Sequence, residues 1–232
     1  MNIAIILAGG TGSRMGGTLP KQFLPVAGGR CVIEYSIEAF DCHELIDEVA
    51  VVCHADYREE MDAICRRNRW SKVKHILTGG KERYHSSMAA IKAYAGHEDA
   101  NLLLHDAARP LVSRRIITDC IEALRRYEAV GVAIPTTDTI VEASDDHTIR
   151  RVADRRRLRN MQTPQCFRLD TICRAYRSAL ADPDFHATDD CGVVLHYLPQ
   201  TPVYLVSGEH TNLKITYPED LSIVVSLVAS SL

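Results

Sequence analysis

No apolar run in this 232-residue chain approaches the roughly 20 residues that a membrane-spanning helix needs. A basic excess is also lacking. Lys and Arg total 27 against 30 Asp and Glu, a formal net charge of -3, whereas a general nucleic-acid binder carries surplus positive charge. The opening MNIAIILAGG has no basic segment and ends in glycines, so it reads as a first strand and not as a secretion signal. No Cys-x-x-Cys pair occurs. The eight cysteines stand at 31, 42, 53, 65, 120, 166, 173 and 191, without the short paired spacings of zinc sites. Most sit in apolar runs such as VAVVCH and TDCIEAL, where a thiol behaves as a small hydrophobe. Reduced, structural cysteines and a cytoplasmic location are the expectation. Repeats and low-complexity linkers are missing too, and the length suits one α/β domain over residues 1–232.

What is present is a rhythm of short apolar runs and longer amphipathic ones. IAIILA (3–8), VAVVC (49–53), VKHIL (73–77), NLLLH (101–105) and VGVAIP (130–135) read as strands. VIEYSIEAF (32–40), YREEMDAICRRN (57–68), SSMAAIKAYA (86–95) and SRRIITDCIEALRRY (113–127) read as helices, the last with Ser113 as N-cap. Continuous apolar strands separated by helices predict a mostly parallel, Rossmann-like sheet covered on both faces. Such sheets bind ligands at the carboxyl ends of their strands. LAGG, TGG (78–80), HDAARP (105–110) and TTDTI (136–140) all follow strands and fall on that one edge.

Beyond residue 136 the rhythm changes. TIVEA and TIRRV, joined by the polar SDD, predict a two-stranded excursion, and residues 137–160 read as a protruding β-arm. An isolated ribbon is marginally stable in water, so it should rest on something, such as a second subunit. A helix (170–180), a polar stretch ending in TDD, a strand PVYLVS (202–207), the alternating NLKIT and a helix after Pro218 complete the chain.

The first loop holds five glycines between 9 and 17: Gly9, Gly10, Gly12, Gly16 and Gly17. Arg14 and Lys21 add two cations. Bare amides beside fixed positive charge point to a phosphate ligand. Neither common fingerprint is complete. Lys21 is followed by Gln22 where a Walker A motif has Ser or Thr, and Met15 stands where a dinucleotide motif closes with Gly.

The combination L-A-G-G-x-G-x-R-M-G with L-P-K-Q-F resembles the CTP-dependent cytidylyltransferases that activate small polyol phosphates, the methylerythritol-phosphate and ribitol-phosphate cytidylyltransferase family. H-D-A-A-R-P, D-T-I (138–140), the D-R of VADRRRL, T-P-Q (163–165), T-D (188–189) and N-L-K-I-T (212–216) extend the match in family order. The resemblance implies that a phosphate monoester attacks the α-phosphorus of CTP and pyrophosphate leaves. That nucleophile is already anionic, so the need is for positive charge and positioning, not for a general base.

By the same resemblance, Arg14, Lys21 and Lys214 are the catalytic cations, with Arg14 and Lys21 on the triphosphate. Ala8, Gly9, Gly10, Gly12, Gly80, Arg83 and Ser86 would line the nucleotide, and Lys81 stands where relatives often carry an acid. Asp106 is either a ligand to a phosphate-bridging Mg²⁺ and a contact to substrate, or a cap on the turn before Pro110. Thr211 occupies the place of a second acid in some relatives, with Glu209 as a candidate substitute. His105 reads as a packed strand end.

Arg109, Thr139, Arg155 and Lys214 would form the acceptor-phosphate pocket, with Arg155 reaching across a homodimer from the arm. Thr188 and Asp189 either touch the polyol or cap the next helix. RRVADRRRLR, with six arginines in ten residues, lacks the aromatics of a nucleic-acid patch, and its other arginines read as a solvated face. The acceptor divides the motifs. HDAARP, ADR-x-x-L and YPEDL resemble the 2-C-methyl-D-erythritol 4-phosphate enzymes, the narrowly preferred reading, while LAGG, DTIVEA and GEHTNLKIT resemble the D-ribitol 5-phosphate enzymes. Another sugar-phosphate nucleotidyltransferase or a regulatory nucleotide-binding module are lesser alternatives.

Overall fold

A computed structural model describes residues 1–10, 19–80, 82–97 and 99–230. Its centre is β1 (Asn2–Ala8), whose residues Ile3 to Ile6 are fully buried. Each such isoleucine contributes about 1.5–3 kcal/mol by leaving water. Around it a seven-stranded sheet runs in the order β3 (Val73–Thr78), β2 (Glu48–Cys53), β1, β4 (Asn101–Asp106), β8 (Arg159–Arg168), β5 (Ala129–Pro135), β9 (Val203–Ser207). All neighbours pair in parallel except β8, which is antiparallel to both β4 and β5.

The period-2 alternation of the strands divides the core in two. Ala4, Ile6, Val49, Val51 and Leu103 pack under α1 (Val32–Asp41), α2 (Arg58–Asn68) and α4 (Arg114–Leu124). Ile3, Ile5, Val52, Leu102 and Leu104 pack under α3 (Arg83–Ala93), α5 (Leu169–Ala179) and α6 (Asp190–Tyr197). The last helix, α7 (Pro218–Ala229), seats Val224 and Val228 with Val32 and Ile215 in a smaller cluster.

Local signals set the helix starts. Ser113 accepts from the Ile116 amide as expected, and Pro218 takes the first turn of α7. The helix starting at 113 stops at Leu124, short of 127, and α3 starts three residues before Ser86, which brings Arg83 into its first turn.

Between β5 and Arg159, which already belongs to the main sheet, lies a short ribbon in which β6 (Val141–Ala143) pairs with β7 (Ile149–Val152). Residues 159–168 therefore form a central strand that the sequence pattern conceals. NLKIT, despite its alternation, is irregular chain and not strand. Of the cysteines, 53, 120, 166 and 191 are buried, whereas Cys42 is exposed.

Candidate active site

The C-terminal ends of β1, β3, β4 and β5 fall along one sheet edge, and there the amino-terminal half of β8 pairs antiparallel with the end of β5. There Asp106 ends β4 with only 8% of its surface exposed. Its Oδ2 lies 2.8 Å from Lys214 Nζ and 3.7 Å from Arg109 Nε, and its Oδ1 lies 3.7 Å from Arg83 Nε. Burial alone would raise this carboxyl's pKa, but Lys214, Arg83 and Arg109 outweigh it and hold the group far below the usual carboxylate range. Asp106 is therefore charged at any working pH. Its backbone amide donates to Thr163 Oγ1 at 3.0 Å, so the T-P-Q segment of β8 fixes it.

His105 completes that support. Nε2 lies 3.0 Å from the Arg109 carbonyl and Nδ1 lies 3.1 Å from Thr163 Oγ1. A carbonyl only accepts, so Nε2 carries the proton and Nδ1 accepts from the threonine hydroxyl. Burial pulls the ring's pKa down to about 4, which keeps it neutral. The expectation of a packed, hydrogen-bonded strand end fits this geometry.

Arg109 is buried, with Nη1 donating to the Asn212 carbonyl at 2.7 Å and Nη2 to the Met161 carbonyl at 3.4 Å. Asn212 in turn donates to the Thr163 carbonyl and to Gln162 Oε1. These bonds pin the loop that carries Lys214. Lys21 reaches the same loop: its ammonium donates to the Ile215 carbonyl at 2.7 Å. Two of the three catalytic candidates thus converge on adjacent residues. The third, Arg14, lies outside the described residues, as do Gly12, Gly16, Gly17 and Lys81.

On the nucleotide side, Gln22 Nε2 donates to the Ala8 and Gly10 carbonyls at 2.8 and 3.0 Å. That clamp was not foreseen, although Gln22 sits inside the P-K-Q-F motif. Ser86 explains two glycines: a Cβ on Gly9 would stand 2.8 Å from its hydroxyl, and one on Gly79 would stand 2.5 Å away. The loops after β1 and β3 can close on α3 only without side chains there. Gly80 lies against His85, whose Nδ1 accepts from the Glu82 amide. Arg83 pairs through Nη1 with Oδ2 of Asp190, a fully buried carboxylate.

Other candidates stand apart. Thr139, Arg155 and Thr188 are exposed, and Arg155 donates within the chain to the Thr137 carbonyl at 3.4 Å. Asp189 caps α6 by accepting from the Gly192 amide, in line with the capping alternative. Glu209 is engaged by Ser113 and Arg115 through the same carboxylate oxygen.

Among the described residues no group of three or more His, Cys, Asp or Glu side chains could hold a metal. Asp106 is a single carboxylate. Magnesium bound mostly by phosphate oxygens and water takes one or two protein carboxylates. The donor set fits that manner of binding and does not fit an all-protein cage.

Comparison with known proteins follows the same lines. The family model described as IspD, 2-C-methyl-D-erythritol 4-phosphate cytidylyltransferase, matches residues 2–229. A 2-C-methyl-D-erythritol 4-phosphate cytidylyltransferase from Thermobifida fusca (strain YX) is 50% identical over 230 residues, covering 97% of this chain and 92% of that one. The bifunctional ribulose 5-phosphate reductase/CDP-ribitol pyrophosphorylase Bcs1 of Haemophilus influenzae is 42% identical over 231 residues, which are 99% of this chain and 48% of that protein. A solved structure of 4-diphosphocytidyl-2C-methyl-D-erythritol synthase from Anaerococcus prevotii DSM 20548 superposes with a TM-score of 0.85 at 29% identity, over 99% of this chain and 96% of that one.

Proposed function

The chain belongs to the 2-C-methyl-D-erythritol 4-phosphate cytidylyltransferase family, and from that premise we propose that it joins the cytidylyl group of CTP to 2-C-methyl-D-erythritol 4-phosphate, releasing pyrophosphate. It is a nucleotidyltransferase. The observation that carries the reading is Asp106, a buried carboxylate at the ligand-binding edge of the sheet whose pKa is held far below the usual range by Lys214, Arg83 and Arg109.

The acceptor phosphate attacks the α-phosphorus, and the barrier is the approach of one anion to another. Lys21 and Arg14 steady the triphosphate and the leaving pyrophosphate, while Lys214 and Arg109 draw in the acceptor phosphate. Asp106 would hold a Mg²⁺ ion, which supplies charge neutralisation on the phosphates when bound. Gln22 keeps the Ala8 and Gly10 carbonyls turned towards itself, leaving the loop's amides for the nucleotide.

Thr139 extends the acceptor pocket, and Arg155 reaches it from a second copy of the chain. The ribbon supports this, since Ile149 and Val152 on it are 66% and 59% exposed, an apolar face that a partner arm would cover. The reading places the enzyme in a reducing cytoplasm, in keeping with its eight free thiols.

The test is pyrophosphate release from CTP and Mg²⁺ with 2-C-methyl-D-erythritol 4-phosphate against D-ribitol 5-phosphate. Release with the first is expected. Release with ribitol 5-phosphate alone would transfer the chain to the second reading, which the Haemophilus influenzae relative motivates. A fully active monomer by sedimentation would remove the role of Arg155 across the dimer.

A further inference from the structure

Asp190 is a fully buried carboxylate at the start of α6, and no step of the reaction proposed above uses it. A carboxylate at that depth is strongly unfavourable unless its oxygens are paired. Its pairs are few and specific. Oδ1 accepts from the Tyr176 hydroxyl at 2.6 Å, and Oδ2 accepts from Arg83 Nη1. Its own amide donates to Gln165 Oε1 at 3.0 Å, and Gln165 Nε2 donates to the capping residue Asp189 at 2.7 Å. The start of α6 is thus tied to β8, and the Asp190 carboxylate has a fixed place.

Arg83 stands between two carboxylates. Nη1 faces Asp190, Nε lies 3.7 Å from Asp106, and Nη2 is enclosed without a hydrogen-bond partner among the described residues. A guanidinium is planar, so holding the Nη1 edge also sets the direction of Nη2 and Nε. One turn further along α3, Ser86 rests on Gly9 and Gly79, the two loops that line the nucleotide. An enclosed donor with no partner among the described residues is what a ligand's oxygen would satisfy.

The geometry points to Asp190 as a positioning residue that, with the Tyr176 hydroxyl, clamps Arg83 in the orientation that receives the nucleotide. This rests on the cytidylyltransferase reading. Gln165 acts one step further back by holding the Asp190 backbone. Tyr176 serves through its hydroxyl alone, because its ring is packed in the core whether or not Arg83 is aligned.

The test varies CTP and acceptor separately in pyrophosphate-release assays, with thermal melts alongside. The proteins are wild type, Asp190→Asn, Tyr176→Phe, Arg83→Gln, and each of the first two changes combined with Arg83→Gln. Asp190→Asn is expected to raise KM for CTP by about 10–100-fold and Tyr176→Phe by about 3–10-fold, with the acceptor's KM within about twofold. In the Arg83→Gln background either change should add less than about twofold, because its route of action is gone. Losses that multiply in the double variants, or equal changes in both KM values, would overturn the proposal. So would a Tyr176→Phe protein with lowered Tm and unchanged KM for CTP. If Asp190→Asn does not fold, the Tyr176→Phe pair carries the same cycle. If wild type releases no pyrophosphate with either acceptor, the reading of the reaction fails, and calorimetric Kd values for CTP across the same variants still decide the clamp.

Discussion

Lys214 Nζ lies 2.8 Å from Asp106 Oδ2, joining the loop before α7 to the end of β4 across the middle of the candidate site. Among the described residues Arg83 and Arg109 stand 3.7 Å from this carboxylate, so Lys214 is its nearest ion-pair partner. Its side chain is 38% exposed while that of Asp106 is 11% exposed, so the lysine is the solvent-accessible member of the pair. Such a cation can orient Asp106 and still meet an incoming phosphate.

Lys214→Ala should therefore lower kcat/KM for the acceptor by about 10²-fold or more, in the range seen when one charge-stabilising donor is removed. Arg83 and Arg109 remain beside Asp106, so the fold should survive and Tm should change little. Steady-state pyrophosphate release with a parallel melt checks both halves. A near-normal kcat/KM would take Lys214 out of the chemistry.

For Lys21 the expected signature differs. Its ammonium is anchored on the Ile215 carbonyl and is assigned to charge that develops as pyrophosphate leaves. Groups that act on developing charge affect turnover more than binding. Lys21→Ala should lower kcat by about 10²–10³-fold with KM for CTP within a few-fold. Unchanged kcat with raised KM would make Lys21 a binding residue only.

The sheet was legible where its strands are uniformly apolar, as in IAIILA and VAVVC, because burial on both faces leaves no alternative. β8 was not. Its Gln162, Thr163 and Gln165 are polar yet buried, since their side chains hold Asn212, the Asp106 amide and the start of α6. Residues that build a site therefore erase the hydrophobic signal of the strand that carries them. Asn212 misleads in the other direction: NLKIT alternates like a strand, but its asparagine ties down an irregular loop. Asp106, Arg83 and Lys214 were legible through motif resemblance and their place after strands. Gln22 and Asp190 were not singled out, because a buried polar residue declares its role only through partners distant in sequence.

Gln22 is open to direct test. One amide group serves the carbonyls of Ala8 and Gly10, and the side chain is buried. Gln22→Ala leaves those acceptors without their donor, a loss of about 1–3 kcal/mol. Gln22→Glu should be worse, because a carboxylate oxygen would then face two carbonyl oxygens. Urea unfolding should show the order wild type, Ala, Glu, and KM for CTP should rise in the same order as the nucleotide loop loosens. A Glu variant as stable as wild type would mean that the loop is held by other contacts.

His105 gives the fold a pH dependence with a definite sign. In the folded protein its pKa is lowered by burial from 6.5 to about 4, whereas the unfolded chain titrates near the ordinary value. Between those values the unfolded state binds more protons, so stability increases with pH across the window. The contribution is complete above about pH 6.5 and is lost as pH falls towards 4, a difference of about 3 kcal/mol for a fully buried ring. His43, whose pKa burial also lowers, adds in the same direction, while Asp106 acts only at lower pH, below the ordinary carboxylate value. Chemical denaturation measured from pH 7 to pH 4 should show this decline. His105→Asn should be less stable at pH 7, since it loses the bond to Thr163 or to the Arg109 carbonyl, and its curve should be flatter. An equally steep decline in that variant would assign the acid sensitivity to other groups and would leave His105 as packing alone.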